Sequence, residues 1–212
     1  MLLLVLAAQL AHAAPSCDQS AVQTWETFED YHALGEKTQL LMEAELRTNC
    51  GLNGNIYPYY QRAEAGFTFQ PLKHLEIRPY YYLTFKNPGA KRTHAIILQI
   101  TANNFELHRW IISDENRIEE DFQPVQQTTR YTNQLRLARR LRIDGIRAEP
   151  YAKGRVTYDL RFRGLAYSRV YVGVEKPLTP KVSLDGYYVR QFGSKLVPGM
   201  VNGIGLTVRT SF

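Results

Sequence analysis

The stretch YSRVYVGVE, residues 167–175, shows the pattern that decides the fold. Three valines alternate in it with Arg169, Tyr171 and Glu175. Successive side chains of a β-strand point to opposite faces, so strict alternation places the valines on one face and the polar residues on the other. The stretch therefore predicts a strand with one apolar and one charged face.

The same alternation recurs along the chain, for example in QLLMEAELR (39–47) and LEIRPYYYLTF (75–85). It predicts ten strands, at residues 37–48, 57–70, 74–86, 93–102, 105–122, 128–143, 147–158, 165–176, 181–191 and 200–212. Short connections alternate with longer ones, which is typical of outer-membrane barrels, whose short turns face the periplasm. We therefore expect residues 37–212 to form an all-β, up-and-down antiparallel transmembrane β-barrel of about 10 to 12 strands.

The segment 14–36 complicates the strand count, because its residues 21–34 also look extended. An eleventh strand would break the even number normal for bacterial barrels. The segment is predicted to be either an extra strand or a segment in the lumen or at the rim, and a missed twelfth strand would also restore an even count.

The first residues resemble a cleaved signal peptide. An apolar run from Leu2 to Leu10 precedes an A-x-A cleavage site at residues 11–13, which assigns 1–13 to the signal peptide. Export to an oxidising compartment makes Cys17 and Cys50, the two cysteines of the chain, a candidate disulfide pair.

The charged face indicates which side of the barrel meets lipid. It contains one lysine and many arginines, and arginine suits confined, partly desolvated places where its fork holds carboxylates. We therefore expect a narrow polar lumen and a lipid-facing apolar wall, with a soluble periplasmic barrel as an alternative. The residues predicted to line the lumen are Glu43, Glu45, Arg47, Arg62, Glu64, Glu76, Arg78, Arg117, Glu119, Arg136, Arg140, Arg155, Arg169, Glu175 and Arg209, and on the same face Arg142, Glu149, Lys153 and Asp185.

Two strands break the alternation. In 105–122 the apolar face switches near SDEN (113–116), which predicts a β-bulge. In 128–143, Arg139 falls on the apolar face, and a lipid-facing arginine is costly at mid-membrane. We expect Arg139 to lie near the periplasmic rim or to be turned inward by a bulge.

The last ten residues, GIGLTVRTSF (203–212), alternate in the same way. A glycine, alternating apolar residues and a final phenylalanine resemble the signal by which barrel-assembly machinery takes up its substrates. The positions that carry this likeness are Gly205, Leu206, Val208 and Phe212.

A family resemblance covers the chain from Trp25 onward. The stretches WETFEDYHALGEKTQLLMEAELR, RTHAIILQ, RYTNQLRLARRL, AEPYAKG and YSRVYVGVEKPLTPKVSLDGYYVRQ resemble a bacterial outer-membrane barrel family described as a domain of unknown function, number 2490. Small KdgM-type oligogalacturonate porins are similar in style, with an Arg-rich lumen. The resemblance implies a barrel in the outer membrane of a Gram-negative bacterium and brings no catalytic residues.

Several classes of site find little support in the sequence. His32, His74, His94 and His108 are scattered, and Ser113 and Asp114 lack a nucleophile motif, so an outer-membrane acyl hydrolase is only an alternative. Neither a metal site nor a cofactor is predicted, and the basic residues lack a nucleic-acid pattern. In the loop NPGAKR, Lys91 and Arg92 are expected to be solvated, with contact to lipopolysaccharide phosphates as an alternative.

The lumen charges suggest a function. The assignment above places eleven cations and eight anions in the lumen, with cations concentrated on late strands. A cationic wall favours the passage or binding of anions. We therefore expect a narrow anion-selective or solute-binding barrel rather than an enzyme, with a closed structural barrel as the alternative. The expected partners are outer-membrane lipid and lipopolysaccharide, the assembly machinery and small anionic solutes.

Overall fold

The computed structural model describes residues 22–50, 56–86, 92–122, 127–143, 146–195 and 199–212. The predicted signal peptide, Cys17 and Lys91 lie outside these ranges, as does the side chain of Cys50, so the predicted disulfide does too. All regular structure in the described ranges is β-strand: β1 Val22–Ala33, β2 Thr38–Cys50, β3 Ile56–Leu72, β4 Leu75–Lys86, β5 Thr93–Leu107, β6 Trp110–Phe122, β7 Gln127–Arg139, β8 Leu141–Ile143, β9 Ile146–Asp159, β10 Gly164–Thr179, β11 Val182–Gly193 and β12 Met200–Ser211. Among these residues, no helix is long and apolar enough to span a membrane.

The strands form one closed barrel. Neighbouring strands pair in chain order from β1 to β7, then β7 pairs with β9, and β9 through β12 continue the sheet. Strand β12 pairs with β1 and closes the ring. Because β8 only prolongs β7 beyond a break at Arg140, eleven strands make up the wall. The prediction of an all-β barrel is confirmed.

The closing pair is the exception to the antiparallel order. Strands β1 and β12 run parallel, with Phe28 opposite Val208, and the ladder extends to Phe212, whose backbone N–H donates to the Tyr31 carbonyl at 2.8 Å. In an up-and-down barrel with an odd number of strands, the first and last strands point the same way, so their pairing must be parallel. Residues 22–33 are thus one strand of the wall, and a twelfth wall strand is not needed to close it.

The connections between strands are divided between the two ends of the barrel. Residues 34–37, 73–74, 108–109 and 180–181 connect strands at one end, which we name the turn end. The opposite end, where residues 160–163 join β9 to β10, is named the loop end. Strands β1 and β12 both run from the loop end to the turn end.

The predicted strand 105–122 is wrong, because the turn lies elsewhere. The predicted bounds 93–102 and 105–122 place the turn at Asn103 and Asn104, but these residues form an irregularity between Ala102 and Phe105, with Asn104 at a φ of 57°. Pairing then resumes, and His108, at a φ of 62°, makes the turn with Arg109. Asparagine accommodates the left-handed region in a bulge as readily as in a turn, so its presence did not locate the hairpin.

The bulge predicted at 113–116 is also absent. Strand β6 pairs with β7 without a shift from Trp110 to Phe122. Ser113 and Glu115 line the interior, whereas Asp114 and Asn116 face outward and form hydrogen bonds with each other and with Asn133. Asn133 donates to Asp114 at 2.7 Å, and Asn116 donates to the other oxygen of the same carboxylate at 3.1 Å.

Arg139 is the last residue of β7, directly opposite Trp110. Its guanidinium carbon lies 5.6 Å from the centroid of the Trp110 ring, next to the 108–109 turn. The arginine is therefore at the turn end of the wall, one residue before the break at Arg140.

The outer wall carries many exposed apolar side chains. Its central part exposes aliphatic side chains that include Ile96, Leu98, Ile100, Ile118, Leu135, Val156, Val170, Val172, Val174 and Ile204. Exposed aromatic rings lie toward both ends, with Phe69, Phe105, Trp110 and Phe212 at the turn end and Tyr131, Tyr158, Phe162 and Phe192 at the loop end. The interior is the reverse, because buried glutamates, arginines and threonines occupy it.

Candidate functional site

A large cavity of about 690 Å³ follows the barrel interior. It extends from Gln39 and Ser211 near the turn end to Thr93 and Arg130 near the loop end. Inward residues of all eleven wall strands line it. The inward face of the alternating pattern therefore forms one continuous charged chamber, which we name the lumen.

The structure places most of the predicted lumen residues around this cavity. Fourteen of the fifteen line it: Glu43, Glu45, Arg47, Arg62, Glu64, Glu76, Arg78, Arg117, Glu119, Arg136, Arg155, Arg169, Glu175 and Arg209. Arg140 lies apart, with its side chain 61% exposed and paired with Glu106 at 2.5 Å. The break between β7 and β8 interrupts the alternation that placed Arg140 and Arg142 on the inner face.

The charge balance of the lumen differs from the predicted excess of cations. Ten acidic residues line the cavity: Glu29, Glu43, Glu45, Glu64, Glu76, Glu115, Glu119, Asp121, Glu175 and Asp185. Ten basic residues face them: Arg47, Arg62, Arg78, Arg117, Arg130, Arg136, Lys153, Arg155, Arg169 and Arg209. The lining is therefore balanced in formal charge, and the predicted excess of three cations is wrong.

Four lining charges were missed in the sequence. Glu29 has the same parity as Trp25 on β1, and Glu115 and Asp121 have that of Arg117 on β6. Arg130 has the same parity as Arg136 on β7. The parity signal is therefore present for all four residues, but the sequence assigns no face to residues 21–34, and the bulge expected in β6 interrupts the parity of that strand.

The charges are nevertheless separated across the lumen. Strands β7, β9 and β10 contribute five of the cations and only Glu175 among the acids. Strands β1 to β6 contribute eight of the acids and four of the cations. One wall is thus acidic and the other, made of β7, β9 and β10, is basic. We name the latter the basic wall.

Arg62 is the centre of the densest ion-pair network on the acidic side. Its Nη2 atom lies 2.9 Å from Glu43 and 3.0 Å from Glu45, and its Nε atom lies 2.6 Å from Glu64. Three carboxylates around one guanidinium would repel one another strongly without it. This network braces strands β2 and β3 from the inside.

A stack of rings and guanidinium groups crosses the lumen. The Trp25 ring lies between Arg47, whose Cζ is 4.0 Å from the ring centroid, and Arg169, whose Cζ is 4.9 Å away. Beyond them, Arg47 lies 4.6 Å from the Tyr60 centroid and Arg169 lies 4.4 Å from that of Tyr167. Each contact is a favourable cation–π interaction. The stack joins β3 to β10 through the interior of the barrel.

Glycines leave room for the aromatic side chains along the wall. A Cβ atom on Gly205 would lie 2.1 Å from Cζ of Tyr187, and one on Gly173 would lie 2.7 Å from Cζ of Tyr151. The Tyr151 hydroxyl donates to Asp185 at 2.9 Å. These tyrosines therefore lie against the backbone of a neighbouring strand instead of filling the lumen axis.

The candidate catalytic residues are not brought together. Ser113 lines the lumen, whereas Asp114 faces outward on the same strand, and His108 is exposed in a turn. His32 contacts Asp30 at 2.8 Å and stacks on Phe212, and His74 stacks on Phe105. Among the described residues, no group of three or more potential ligands could hold a metal ion.

The fold and the lumen define the class of the protein, a closed β-barrel with a charged interior and an apolar exterior. The chain belongs to the family described as "Protein of unknown function (DUF2490)", whose sequence model matches residues 22–197. No curated protein and no solved structure matches the chain, so the further likeness to small anion porins finds no support there.

Proposed function

We propose that this protein is an integral β-barrel of the Gram-negative outer membrane. The observation that carries the proposal is the distribution of polar and apolar side chains, which is the reverse of that in a water-soluble protein. Aliphatic side chains face outward around the wall with aromatic rings at both ends, and paired charges fill the interior. Outer-membrane barrels have an outward apolar band about 25 Å tall between aromatic girdles and a polar interior. In water, an apolar area of this size would favour aggregation.

The orientation follows from the connections. Short turns face the periplasm in such barrels, so the turn end is assigned to the periplasmic side. Phe212 then lies at the inner lipid boundary, stacked on His32 with the Lys181 ammonium 5.2 Å from its ring. The partners in this proposal are lipid and lipopolysaccharide, together with the assembly machinery during insertion.

Fractionation tests the proposal. The protein should remain in outer-membrane fractions after an alkaline wash. It should also migrate faster on gels when it is left unboiled, because a closed barrel stays compact in detergent. Recovery in the soluble periplasmic fraction, with no shift on boiling, would support the soluble barrel and contradict the proposal.

We further propose that the lumen conducts small anions rather than acting in catalysis. The basic wall provides the supporting observation, because a cationic surface bounded by low-dielectric material attracts anions. Lys153, Arg155 and Arg169 are its central residues. Their effect is local, since the lumen as a whole is balanced in charge.

Planar-bilayer recordings test conduction. The expected result is a small conductance that selects chloride over potassium, and Arg155→Glu should shift selectivity toward cations. Lys73→Glu, in an exposed turn outside the lumen, is the control with the same change in side-chain charge. Absence of channels from correctly folded protein would instead support a closed structural barrel, which the extensive arginine–carboxylate pairing favours.

A further inference from the structure

Most cations of the lumen have a carboxylate partner. Seven arginines lie within 3.6 Å of one: Arg47 of Glu45, Arg62 of Glu64, Arg78 of Glu76, Arg117 and Arg130 of Glu119, Arg136 of Glu149, and Arg209 of Glu29. Such pairs offset the cost of removing both charges from water. The positive charge of these seven arginines is therefore compensated within the barrel, without any ligand.

Three cations differ from these seven. Among the residues that the structure describes, no carboxylate lies within 4.0 Å of Lys153 or Arg169, and Arg155 approaches Glu115 only at 4.0 Å. Neutral amides hold the two guanidinium groups instead. Arg155 Nε donates to Gln134 at 2.8 Å, and Arg169 Nε donates to Gln191 at 2.7 Å.

The three under-paired cations are neighbours. Arg155 on β9 is directly opposite Arg169 on β10, and Lys153 is directly opposite Tyr171. The Lys153 Nζ atom lies 4.3 Å from the Tyr171 ring centroid, and the Arg155 Cζ atom lies 5.8 Å from it. All four side chains line the lumen. They form one patch, which we name the β9–β10 cluster.

This arrangement costs free energy when the lumen holds no counterion. Like charges directly opposite each other on antiparallel strands repel, and repulsion is stronger in a cavity than in bulk water. The adjacent Arg136 on β7 is opposite Lys153 and adds a fourth positive charge. Its own partners are Glu149 and Glu175, and the nearby Asp185 accepts a hydrogen bond from the Tyr151 hydroxyl. Among the described side chains, Glu115 at 4.0 Å from Arg155 is the carboxylate within ion-pair distance of the cluster, so the positive charge there is only partly neutralised.

We propose that Lys153, Arg155, Arg169 and the Tyr171 hydroxyl form a binding site for a phosphate group, as inorganic phosphate or a small phosphomonoester. A phosphate group carries a charge of about −1.5 to −2 near neutral pH and has oxygens that accept hydrogen bonds in several directions. Three neighbouring cations on two paired strands match that compact charge better than they match an extended polycarboxylate. The site rests on the proposed function, because it lies in the same lumen.

Calorimetric titration of folded protein in a zwitterionic detergent tests the site without requiring conduction. Inorganic phosphate should bind saturably at one site per barrel, with chloride as the common background anion. Lys153→Met and Arg169→Gln should each weaken binding at least tenfold. Lys73→Met, which removes an exposed lysine from the β3–β4 turn, is the matched control and should bind as the unaltered protein does.

A thermal measurement covers the case in which a variant folds poorly. Phosphate should raise the temperature at which the unaltered protein loses its compact gel mobility. In phosphate-free buffer, Lys153→Met should be at least as stable as the unaltered protein, because it relieves repulsion, but phosphate should stabilise it less.

The outcomes separate this site from the proposed function. Conduction without phosphate binding overturns the site and leaves the anion pathway standing. Phosphate binding without conduction supports the site within a closed barrel. Equal or tighter binding of citrate overturns the assignment to phosphate. Glycerol phosphate binding alongside inorganic phosphate indicates that monoesters enter, and binding of inorganic phosphate alone restricts the ligand to the free ion.

Discussion

Individual inward residues of this barrel have roles set by what lies across from them. Gly205 is predicted to be part of an assembly signal. In the fold, the Tyr187 ring occupies the space that a side chain at position 205 would need. Gly186, on the neighbouring strand, has no atom within 4 Å of where its Cβ would lie. The same residue type therefore has a packing requirement at one position and none at the other.

The first prediction uses this contrast. Gly205→Ala should lower the free energy of unfolding by about 1–3 kcal/mol, because the added methyl group overlaps the Tyr187 ring and forces it to move. Gly186→Ala should be neutral or stabilising, by up to about 1 kcal/mol, because alanine loses less backbone entropy on folding. Urea unfolding in detergent measures both. Equal effects at the two positions would contradict this packing role.

The second prediction concerns Arg62, whose removal leaves Glu43, Glu45 and Glu64 close together without their shared cation. Arg62→Leu should destabilise the barrel by about 3–5 kcal/mol, the cost of breaking a buried ion pair from one side. Arg140→Leu, which breaks an exposed pair with Glu106, should cost about 0–1 kcal/mol. The same urea unfolding series tests both variants, and a small effect of Arg62→Leu would show that water screens this part of the lumen.

Among the elements, β1 contributes most to the topology. It pairs antiparallel with β2 and parallel with β12, so it closes a barrel that would otherwise keep two free edges. Unpaired edges expose backbone donors and acceptors, which is especially costly in lipid. β1 also provides Trp25 and Glu29, which anchor the ring–guanidinium stack and Arg209.

The third prediction tests the parallel seam by cross-linking. In a background with Cys17 and Cys50 replaced by serine, Phe28→Cys combined with Val208→Cys should form a disulfide on mild oxidation, because these positions are paired. Phe28→Cys combined with Ile204→Cys is the control, since four residues along a strand span about 13 Å. Mobility on non-reducing gels measures the bond. A bond in the control pair instead would show a different register.

For the molecule as a whole, the proposed membrane environment makes a prediction that a soluble barrel does not. Val172 and Leu178 both expose about half of their side chains on β10, but Val172 is mid-strand and Leu178 is next to the 180–181 turn.

The fourth prediction is therefore position-dependent. Val172→Arg should cost about 2–4 kcal/mol in lipid, whereas Leu178→Arg should cost about 0–1 kcal/mol near the interface. Refolding into phospholipid vesicles, followed by denaturant titration, measures both. On a water-exposed surface each change would stay within about 0.5 kcal/mol, and that result would count against the membrane proposal.

The sequence determined the features that depend on local periodicity. Alternation of apolar and charged residues assigned the strands and the inner face of most of them, because a strand repeats every two residues whatever its neighbours are. That was enough to predict a β-barrel and to place Glu45, Arg62 and Arg169 on one face. It failed where the period was interrupted, at the irregularity near Asn104 and at the break before Arg140.

Only the tertiary structure decided the properties that depend on closure. Eleven strands with a parallel seam follow from how the first and last strands meet, which no local pattern encodes. The pairing of Arg209 with Glu29, 180 positions apart, follows from which strands become neighbours. The same holds for Lys153 and Arg169, which have no carboxylate within 4.0 Å in the part of the chain that the structure describes. Charge can be counted along a sequence, but its compensation requires distances between atoms.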